Sequence, residues 1–426
     1  MAILLGCIAD DFTGATDLCN TLVKAGMRAV QLIGVPAAGY PVPDADVVTI
    51  ALKSRTCPVR DAVDQSLEAL AWLRDAGARQ ILFKYCSTFD STPAGNIGPV
   101  ADALMEALGT DLAVVCPAFP ETGRTIYQGH LFVGEKLLAD THMRHHPLTP
   151  MTESNLVLAM RAQTQKRVGL VPFAAVDAGP AAIAERFATL RQEGVSYAVT
   201  DAVADRHLVH LGEAVRGHAL ITGGSGIALG LPENFRRAGE LQTRDAAALP
   251  AIDGYEAVLA GSCSAATLAQ IDHMVRTRPA KKLDPFALAD GYATELALDW
   301  AKEELRHGPI LIYASAPPED VAEAQELLGR DRAGTLIEDA MAAIARGLVE
   351  AGVRRLVVAG GETAGAVVKA LGIEGLAIGP QIDPGVPACV TLGDRPIALA
   401  LKSGNFGAKD FLTKAFAHMP GERRRP

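Results

Sequence analysis

The sequence predicts an α/β protein built of two three-layer α/β domains with largely parallel sheets and an interdomain active-site cleft. Short apolar runs recur, each followed by Gly, Ser, Thr or Asp and then by an amphipathic stretch, which is the order of strand, exit loop and crossover helix in a parallel sheet. The 426 residues exceed the roughly 100 to 200 of one ordinary domain. A polar, irregular stretch at 231–254 separates two such series.

The first unit is the plainest. Residues 3–9 read as a buried strand, 10–14 as its exit loop, and 16–24 as a helix with Leu18, Leu22 and Val23 inward. Further strands are expected at 47–52, 81–85, 112–116, 168–171, 197–200 and 219–222. The separating stretch carries Pro232, Glu233, Asn234, Arg236, Arg237 and Pro250 without an apolar period. The second series has strands at 257–260, 310–314, 355–359, 389–392 and 397–401, with helices near 265–275, 292–305 and 337–351. The limits this implies are domains 1–230 and 255–420, a linker 231–254 and a tail 421–426. No fixed-period repeat or low-complexity segment interrupts them.

Apolar residues make up 49% of the chain and charged ones 21%, the balance of a chain with ample core to bury. A formal charge of -9 argues against broad attraction to nucleic-acid phosphates or anionic lipid. The one dense basic run, Arg423-Arg424-Arg425, reads as a solvated tail. Cysteines stand singly at Cys7, Cys19, Cys57, Cys86, Cys116, Cys263 and Cys389 with no CxxC pair, which fits reduced thiols in the cytoplasm. The opening Met1-Ala2-Ile3-Leu4-Leu5-Gly6 has no cationic region, and no apolar run reaches the roughly 18 residues of a membrane span. Neither export nor membrane insertion is expected, and monomer and homodimer both remain open.

Ligands of open parallel sheets sit at the carboxyl ends of strands, so the exit loops are where chemistry is sought. Three in the second half share a theme: Gly261-Ser262-Cys263-Ser264, Gly360-Gly361-Glu362-Thr363 and Ser403-Gly404-Asn405-Phe406-Gly407. Small residues let backbone N–H groups approach phosphate, and a helix start adds a favourable dipole. Glycines after a strand are also ordinary turn residues; three such loops in one domain favour a polyphosphate cradle. Glu362 could hold Mg²⁺ directly or through water, or complement a helix start. No GxxxxGK[ST] and no protein-kinase motif set occur.

In the first half, Asp10 and Asp11 leave the first strand together. One carboxylate can face a substrate hydroxyl and accept its proton while the other caps the following helix; Asp10 is the first choice for the base. Lys84 ends another apolar strand and precedes Ser87-Thr88-Phe89-Asp90-Ser91-Thr92, then Gly95-Asn96-Ile97-Gly98. A lysine for a carboxylate and Asp90, Ser87 and Ser91 for hydroxyls suit an anionic polyhydroxylated ligand. Lys53 and Arg55 at a third exit, and Arg124 after Pro117-Ala118-Phe119-Pro120-Glu121-Thr122-Gly123, could converge on the same carboxylate. His142, His145 and His146 lack the further ligands of structural zinc and read as polar loop residues, lining the cleft near His130.

Ala9-Asp10-Asp11-Phe12-Thr13-Gly14-Ala15, the 84–92 run, Gly360-Gly361-Glu362-Thr363 and Lys402-Ser403-Gly404-Asn405-Phe406-Gly407 resemble the four-carbon acid sugar kinase family over nearly the whole chain. The wording of residues 85–90 is most similar to its 3-oxo-tetronate branch. The resemblance implies an amino-terminal acid-sugar domain and a carboxy-terminal ATP domain. It implies ATP contacts at Ser262, Gly360 through Thr363, and Ser403-Gly404, with Ser264 beside them, and Asp10, Lys84 and Asp90 toward the sugar acid. The expected reaction is ATP-dependent, Mg²⁺-assisted transfer to the C4 hydroxyl of a 3-oxo-tetronate, with threonate, erythronate or 2-oxo-tetronate as alternative acceptors. The rival is an NAD-dependent sugar-acid dehydrogenase, because Gly224-Ser225-Gly226-Ile227-Ala228-Leu229-Gly230 loosely echoes a dinucleotide loop; its spacing is not GxGxxG, and Leu231-Pro232 disfavours a continuing helix.

Overall fold

The computed structural model describes residues 3–146, 148–289 and 291–423; Arg424 and Arg425 of the basic tail and the first two residues lie outside them. The chain divides into two compact units between Ala246 and Ala247. No helix among the described residues is long and apolar enough to cross a membrane.

The first unit is built on parallel strands β1 (Leu5–Ala9), β2 (Ala29–Ile33), β3 (Val47–Ala51), β4 (Gln80–Lys84) and β5 (Ala113–Cys116). A small antiparallel meander follows, β6 (Arg124–Tyr127), β7 (His130–Val133) and β8 (Lys136–Leu137). Then come β9 (Val168–Val171), β10 (Tyr197–Thr200) and β11 (Leu220–Gly223). The main sheet runs β2-β3-β1-β4-β11-β5-β10-β9. Its central strands are buried along their whole length, as a sheet covered on both faces requires. The chain leaves β1 toward β2 on one side and later returns to β4 on the other, so the order reverses at β1. The carboxyl ends there form the crevice in which such sheets take ligands.

Several local expectations are corrected. The first helix, Phe12–Lys24, begins four residues earlier than the periodicity suggested, because Asp11 caps it by accepting from Gly14 N at 3.1 Å. Strand β2 escaped notice because its centre is Gln31, a buried polar residue whose Oε1 accepts from Thr16 Oγ1 at 2.8 Å. The 231–254 stretch opens with a helix, Pro232–Arg237. Pro232 starts it rather than breaking it, since the first helical position needs no N–H. That helix belongs to the first unit, with Asn234 Nδ2 donating to Gly212 O at 2.8 Å and Arg237 paired with Glu213 at 2.9 Å.

The second unit contains β12 (Tyr255–Ala260), β13 (Ala280–Lys282), β14 (Ile310–Tyr313), β15 (Val353–Ala359), β16 (Gly375–Asp383), β17 (Val386–Thr391) and β18 (Ala398–Lys402), ordered β13-β14-β12-β15-β18-β17-β16. The first five in that order are parallel; β17 runs antiparallel to β18 and to β16. Here the order reverses at β12. Val258, Leu311, Val357, Phe411 and Phe416 share one core cluster.

Arg355, 3% exposed, ties this unit's carboxy-terminal segment to its sheet. Its Nε donates to Glu256 at 3.0 Å, and its other nitrogens reach the carbonyls of Phe416, Pro420 and Gly421. Replacing it by Met would strand a buried carboxylate and three carbonyls. Arg355→Met is therefore expected to cost about 3–5 kcal/mol, read as a lower urea midpoint for the second unit's unfolding.

Candidate active site

In the first unit, backbone pairing fixes where the charged exits meet. Ala9 lies opposite both Ala51 and Lys84 in the ladder, Asp10 N donates to Lys84 O at 3.0 Å, and the Asp10 carbonyl accepts from Ser54 N at 3.0 Å and Arg55 N at 3.2 Å. Asp10, Asp11, Arg55 and Lys84 are thereby brought together.

The Arg55 guanidinium is the centre of the cluster. Its Nε and Nη2 hold Asp10 Oδ2 and Oδ1, each at 2.8 Å; Nη2 also reaches Asp11 Oδ1 at 2.8 Å, and Nη1 lies 3.6 Å from Asp90 Oδ2. Arg55 was expected to face a substrate carboxylate; its nitrogens instead face the protein's own acids. Burial raises the Asp10 carboxyl above its usual range, and Arg55 opposes the shift. Asp11 has Oδ1 engaged by Arg55 and Gly14 N; among the described residues its Oδ2 has no hydrogen-bond partner, and a third of its side chain is exposed (32%).

Lys84, 4% exposed, lies against the first turn of the first helix. Its ammonium forms a loose ion pair, 3.8 Å from Asp11 Oδ1. A Cβ on Gly14 would run into both the Lys84 ammonium and Asp11 Oδ1, so glycine is required there by close approach. Asp90 sits in a strained loop, with Phe89 at φ 65° and Asp90 at φ 36°. A bulky residue in the left-handed region is costly, and such strain persists only where the surroundings enforce it. Here Phe89 is fully buried edge-on against Tyr85, and Thr88 Oγ1 donates to Asp90 Oδ1 at 2.6 Å.

The other expected residues are placed differently. Ser91 Oγ donates to Gln163 Oε1 at 3.2 Å; Ser87 is half-buried at the β4 exit; Lys53 is exposed. Arg124 opens the β6–β8 meander and bonds the Thr122 carbonyl within its own turn. His142 and His145 lie in one short turn, His146 Nδ1 accepts from Thr149 N at 3.1 Å, and His130 Nδ1 donates to Gln128 O at 2.9 Å.

Sequence reading missed three contributors. Asp17, one turn into the first helix, accepts from Ser225 Oγ at 2.6 Å; burial raises its pKa and the Lys84 charge opposes that. Ser225 comes from the β11 exit that resembled a dinucleotide loop. A Cβ on Gly223, Gly224 or Gly226 there would collide with the carbonyls of Cys116, Pro117 or Ala118, so those glycines serve close packing. Asn96 pins the Arg55 loop, donating to Ser54 O at 2.7 Å and Cys57 O at 2.9 Å.

In the second unit the three glycine-bearing exits are neighbours, because Ala260 pairs with Ala359 and Ala359 with Lys402. A Cβ on Gly261 would strike Thr363 Oγ1, one on Gly404 would strike Ser262 Oγ, and Gly360 has φ 127°. Ser262, Gly360, Thr363 and Gly404 are therefore gathered at the β12 switch point. Ser264 caps the helix Ala265–Met274, accepting from Thr267 N at 3.2 Å. Ser403 is half-buried, and Gly361 and Glu362 are exposed in the first turn of the helix Gly361–Ala370. Among the described residues Glu362 has no bonded partner, and no group of three or more His, Cys, Asp or Glu is arranged to hold a metal. One free carboxylate beside backbone N–H groups fits Mg²⁺, which is bound through one or two carboxylates together with substrate phosphates. Lys402, 1% exposed, was absent from the expected site. Its Nζ donates to Thr267 Oγ1 at 2.9 Å and Gly404 O at 3.0 Å, and burial pulls its pKa down to about 8.

Residues 5–231 match a sugar-binding N-terminal domain and residues 257–412 a nucleotide-binding C-terminal domain. A 3-oxo-tetronate kinase of Pseudomonas fluorescens is 58% identical, the match covering 98% of this chain and 97% of that one. The chain belongs to the four-carbon acid sugar kinase family. A 3-oxo-tetronate kinase of Burkholderia multivorans is also 58% identical, over 98% of each chain, and one from Salmonella typhimurium is 45% identical over 96% of this chain and 98% of its own. Among solved structures, a Salmonella typhimurium protein described as a putative tRNA synthase superposes with TM-score 0.89 at 44% identity, covering 96% of this chain and 98% of that one. A Haemophilus influenzae protein does so with TM-score 0.87 at 43% identity, covering 96% and 98%.

Arg55 holds buried acids together, so its removal has a pH-dependent cost. In Arg55→Met the Asp10 pKa rises further, and protonation relieves the uncompensated buried charge. The destabilisation is expected to be about 3–5 kcal/mol near neutral pH and to shrink as pH falls toward 4, since a folded-state carboxyl with a raised pKa loses stability as pH climbs through that value. Urea denaturation of wild type and variant across that range reads this directly.

Proposed function

We propose that this chain is an ATP-dependent kinase that phosphorylates the C4 hydroxyl of 3-oxo-tetronate, with the first unit binding the sugar acid and the second the nucleotide. The observation that carries the chemistry is the unequal commitment of the two acids leaving β1. Both Asp10 oxygens are bonded by Arg55, whereas among the described residues Asp11 Oδ2 has no hydrogen-bond partner and its side chain is partly exposed.

Asp11 is accordingly the base, in preference to Asp10, and Asp10 with Arg55 positions it. As the substrate O4 attacks the γ-phosphorus, its proton passes to Asp11 Oδ2; the O4–P bond forms, the bond to the β–γ bridging oxygen breaks, and ADP leaves. Lys84 is the cation for the anionic substrate: it is buried, points at the acids, and has donor capacity that a 3.8 Å ion pair does not use. Asp90 accepts from substrate hydroxyls, its carboxylate already fixed by Thr88. At the other end, Ser262, Gly360, Gly361, Thr363, Ser403 and Gly404 approach the phosphates. Glu362 would hold Mg²⁺, which neutralises phosphate charge when bound. The supply of ATP supports reading the reaction as cytoplasmic.

The reading is tested with purified protein, ATP-Mg²⁺ and a panel of 3-oxo-tetronate, 2-oxo-tetronate, threonate and erythronate, following ADP. Turnover is expected to be greatest with 3-oxo-tetronate; equal or better turnover of another acid overturns the substrate assignment, and NADH formation in place of ADP overturns the kinase. Within that assay Asp11→Asn should lower kcat by about 10²–10⁴-fold with a small change in the acid's KM, the usual scale for losing a general base. A larger kcat loss in Asp10→Asn than in Asp11→Asn would reverse the two roles. Gly14→Ala should raise the KM for the acid by displacing Lys84, at a stability cost of about 1–3 kcal/mol.

A further inference from the structure

The loop at 403–408 leaves β18 with its carbonyl groups held from behind. The Gly404 carbonyl accepts from Ser264 Oγ at 2.6 Å, Thr267 Oγ1 at 2.9 Å and Lys402 Nζ at 3.0 Å. Gln270 Nε2 donates to the carbonyls of Phe406 at 3.0 Å, Gly407 at 2.9 Å and Ala408 at 3.1 Å. Asp383 Oδ2 takes the Ala408 N–H at 2.7 Å.

In a trans peptide the C=O and the following N–H point in opposite directions, and the described chain has no cis bond. A Gly404 carbonyl drawn inward therefore turns the Asn405 N–H outward, and an inward Phe406 carbonyl does the same for the Gly407 N–H. Among the described residues neither N–H has a backbone acceptor. The two N–H groups flank Phe406, whose own N–H is taken by Ser403 O at 3.2 Å; each is a separate backbone donor to an anion on a glycine-bearing loop. Lys402 cannot reach such an anion itself: its side chain is 1% exposed and its ammonium is already bonded at 2.9 and 3.0 Å. Its charge nevertheless lies directly behind the peptide that presents the N–H.

We infer that Lys402 is a positioning residue for the nucleotide's phosphates: with Thr267 and Ser264 it locks the Gly404 carbonyl inward, so that the Asn405 N–H faces the polyphosphate with a buried positive charge behind it, while Gln270 holds the Phe406 carbonyl and so sets the Gly407 N–H. This rests on reading the second unit as the ATP end. A direct phosphate-binding lysine would act mainly on kcat, through charge developing in the transition state. A positioning lysine acts on ATP and ADP affinity together and leaves the sugar acid untouched.

The test compares wild type, Lys402→Met, Thr267→Val, Thr267→Ser and Gly360→Ala. It uses calorimetric binding of ATP-Mg²⁺ and ADP-Mg²⁺, the KM for each substrate, kcat and the thermal midpoint. Lys402→Met is expected to weaken both nucleotides about 10- to 100-fold, the scale for losing a charged donor to a buried acceptor, with the acid's KM within about twofold. Thr267→Val should weaken both nucleotides in the same sense and Thr267→Ser, which keeps the hydroxyl, should restore them; this pair decides the matter if Lys402→Met does not fold. A lower thermal midpoint with unchanged nucleotide affinity in Lys402→Met and Thr267→Val makes the lock merely structural and overturns the inference. So does lost binding in Gly360→Ala with none lost in Lys402→Met. Wild-type affinity in all four variants would overturn the ATP reading of this unit and the inference with it.

Discussion

The first unit's site depends on one guanidinium. Asp10 and Asp11 leave β1 side by side and Asp90 follows β4, so these carboxylates converge at a single switch point and repel one another unless a cation lies between them. Arg55 supplies it in the form the geometry needs, a planar fork that grips Asp10 along one edge and turns a third nitrogen toward Asp90. A lysine would offer a point charge and could not span the set. The rest of the loop structure reads as support for that fork. Asn96 ties down the backbone that carries Arg55, and the strained turn at Phe89 and Asp90 is the conformation that aims Asp90 at it.

Burial gives the arrangement its chemical asymmetry. Asp10 is enclosed, and its carboxyl is pushed up by desolvation while Arg55 pulls it back. Asp11 keeps a third of its side chain exposed, with one oxygen spent on the helix cap and on Arg55. Adjacent residues of the same type thus acquire different tasks from the direction of exit alone. One anchors the cation, and the other presents an oxygen to whatever enters.

The alternation of apolar runs and amphipathic stretches was enough to read the α/β class and most strand positions, because buried parallel strands are short, uniformly apolar words. Where a strand carried a polar centre, as Gln31 does in β2, or lay in the antiparallel part of its sheet, as β16 does, that rule had nothing to hold. The exit loops advertised themselves through Asp10, Asp11, Lys84 and the glycines. The partnerships did not, since they depend on which exits the sheet order makes neighbours: nothing local to Arg55 says that it faces Asp10 across 45 residues. Asp17 and Ser225 were illegible for the same reason, being 208 residues apart. Lys402 is visible at the head of the 402–407 motif but takes no role in the sequence reading, although a lysine closing an apolar strand is the signal that singles out Lys84.

Those two lysines mark the same structural position put to opposite use. Each ends a central strand with its side chain buried, Lys84 on the strand next to β1 and Lys402 on the strand one removed from β12. In the first unit four carboxylates, Asp10, Asp11, Asp17 and Asp90, surround two cations, Arg55 and Lys84. The local charge is negative, and an anionic acid can be held there only by a cation not already committed. Arg55 is committed at close range and Lys84 is not, which is why the proposed reading gives recognition of the acid to Lys84. In the second unit the cradle is made of hydroxyls and backbone, and Lys402 is spent on a carbonyl. A ligand bearing several negative charges needs many weak donors held rigidly more than it needs one mobile cation, since prefixed dipoles do not have to reorganise when it arrives. On the proposed reading, the acidic exits of the first unit suit proton transfer, and the hydroxyl- and backbone-lined exits of the second suit a polyanion.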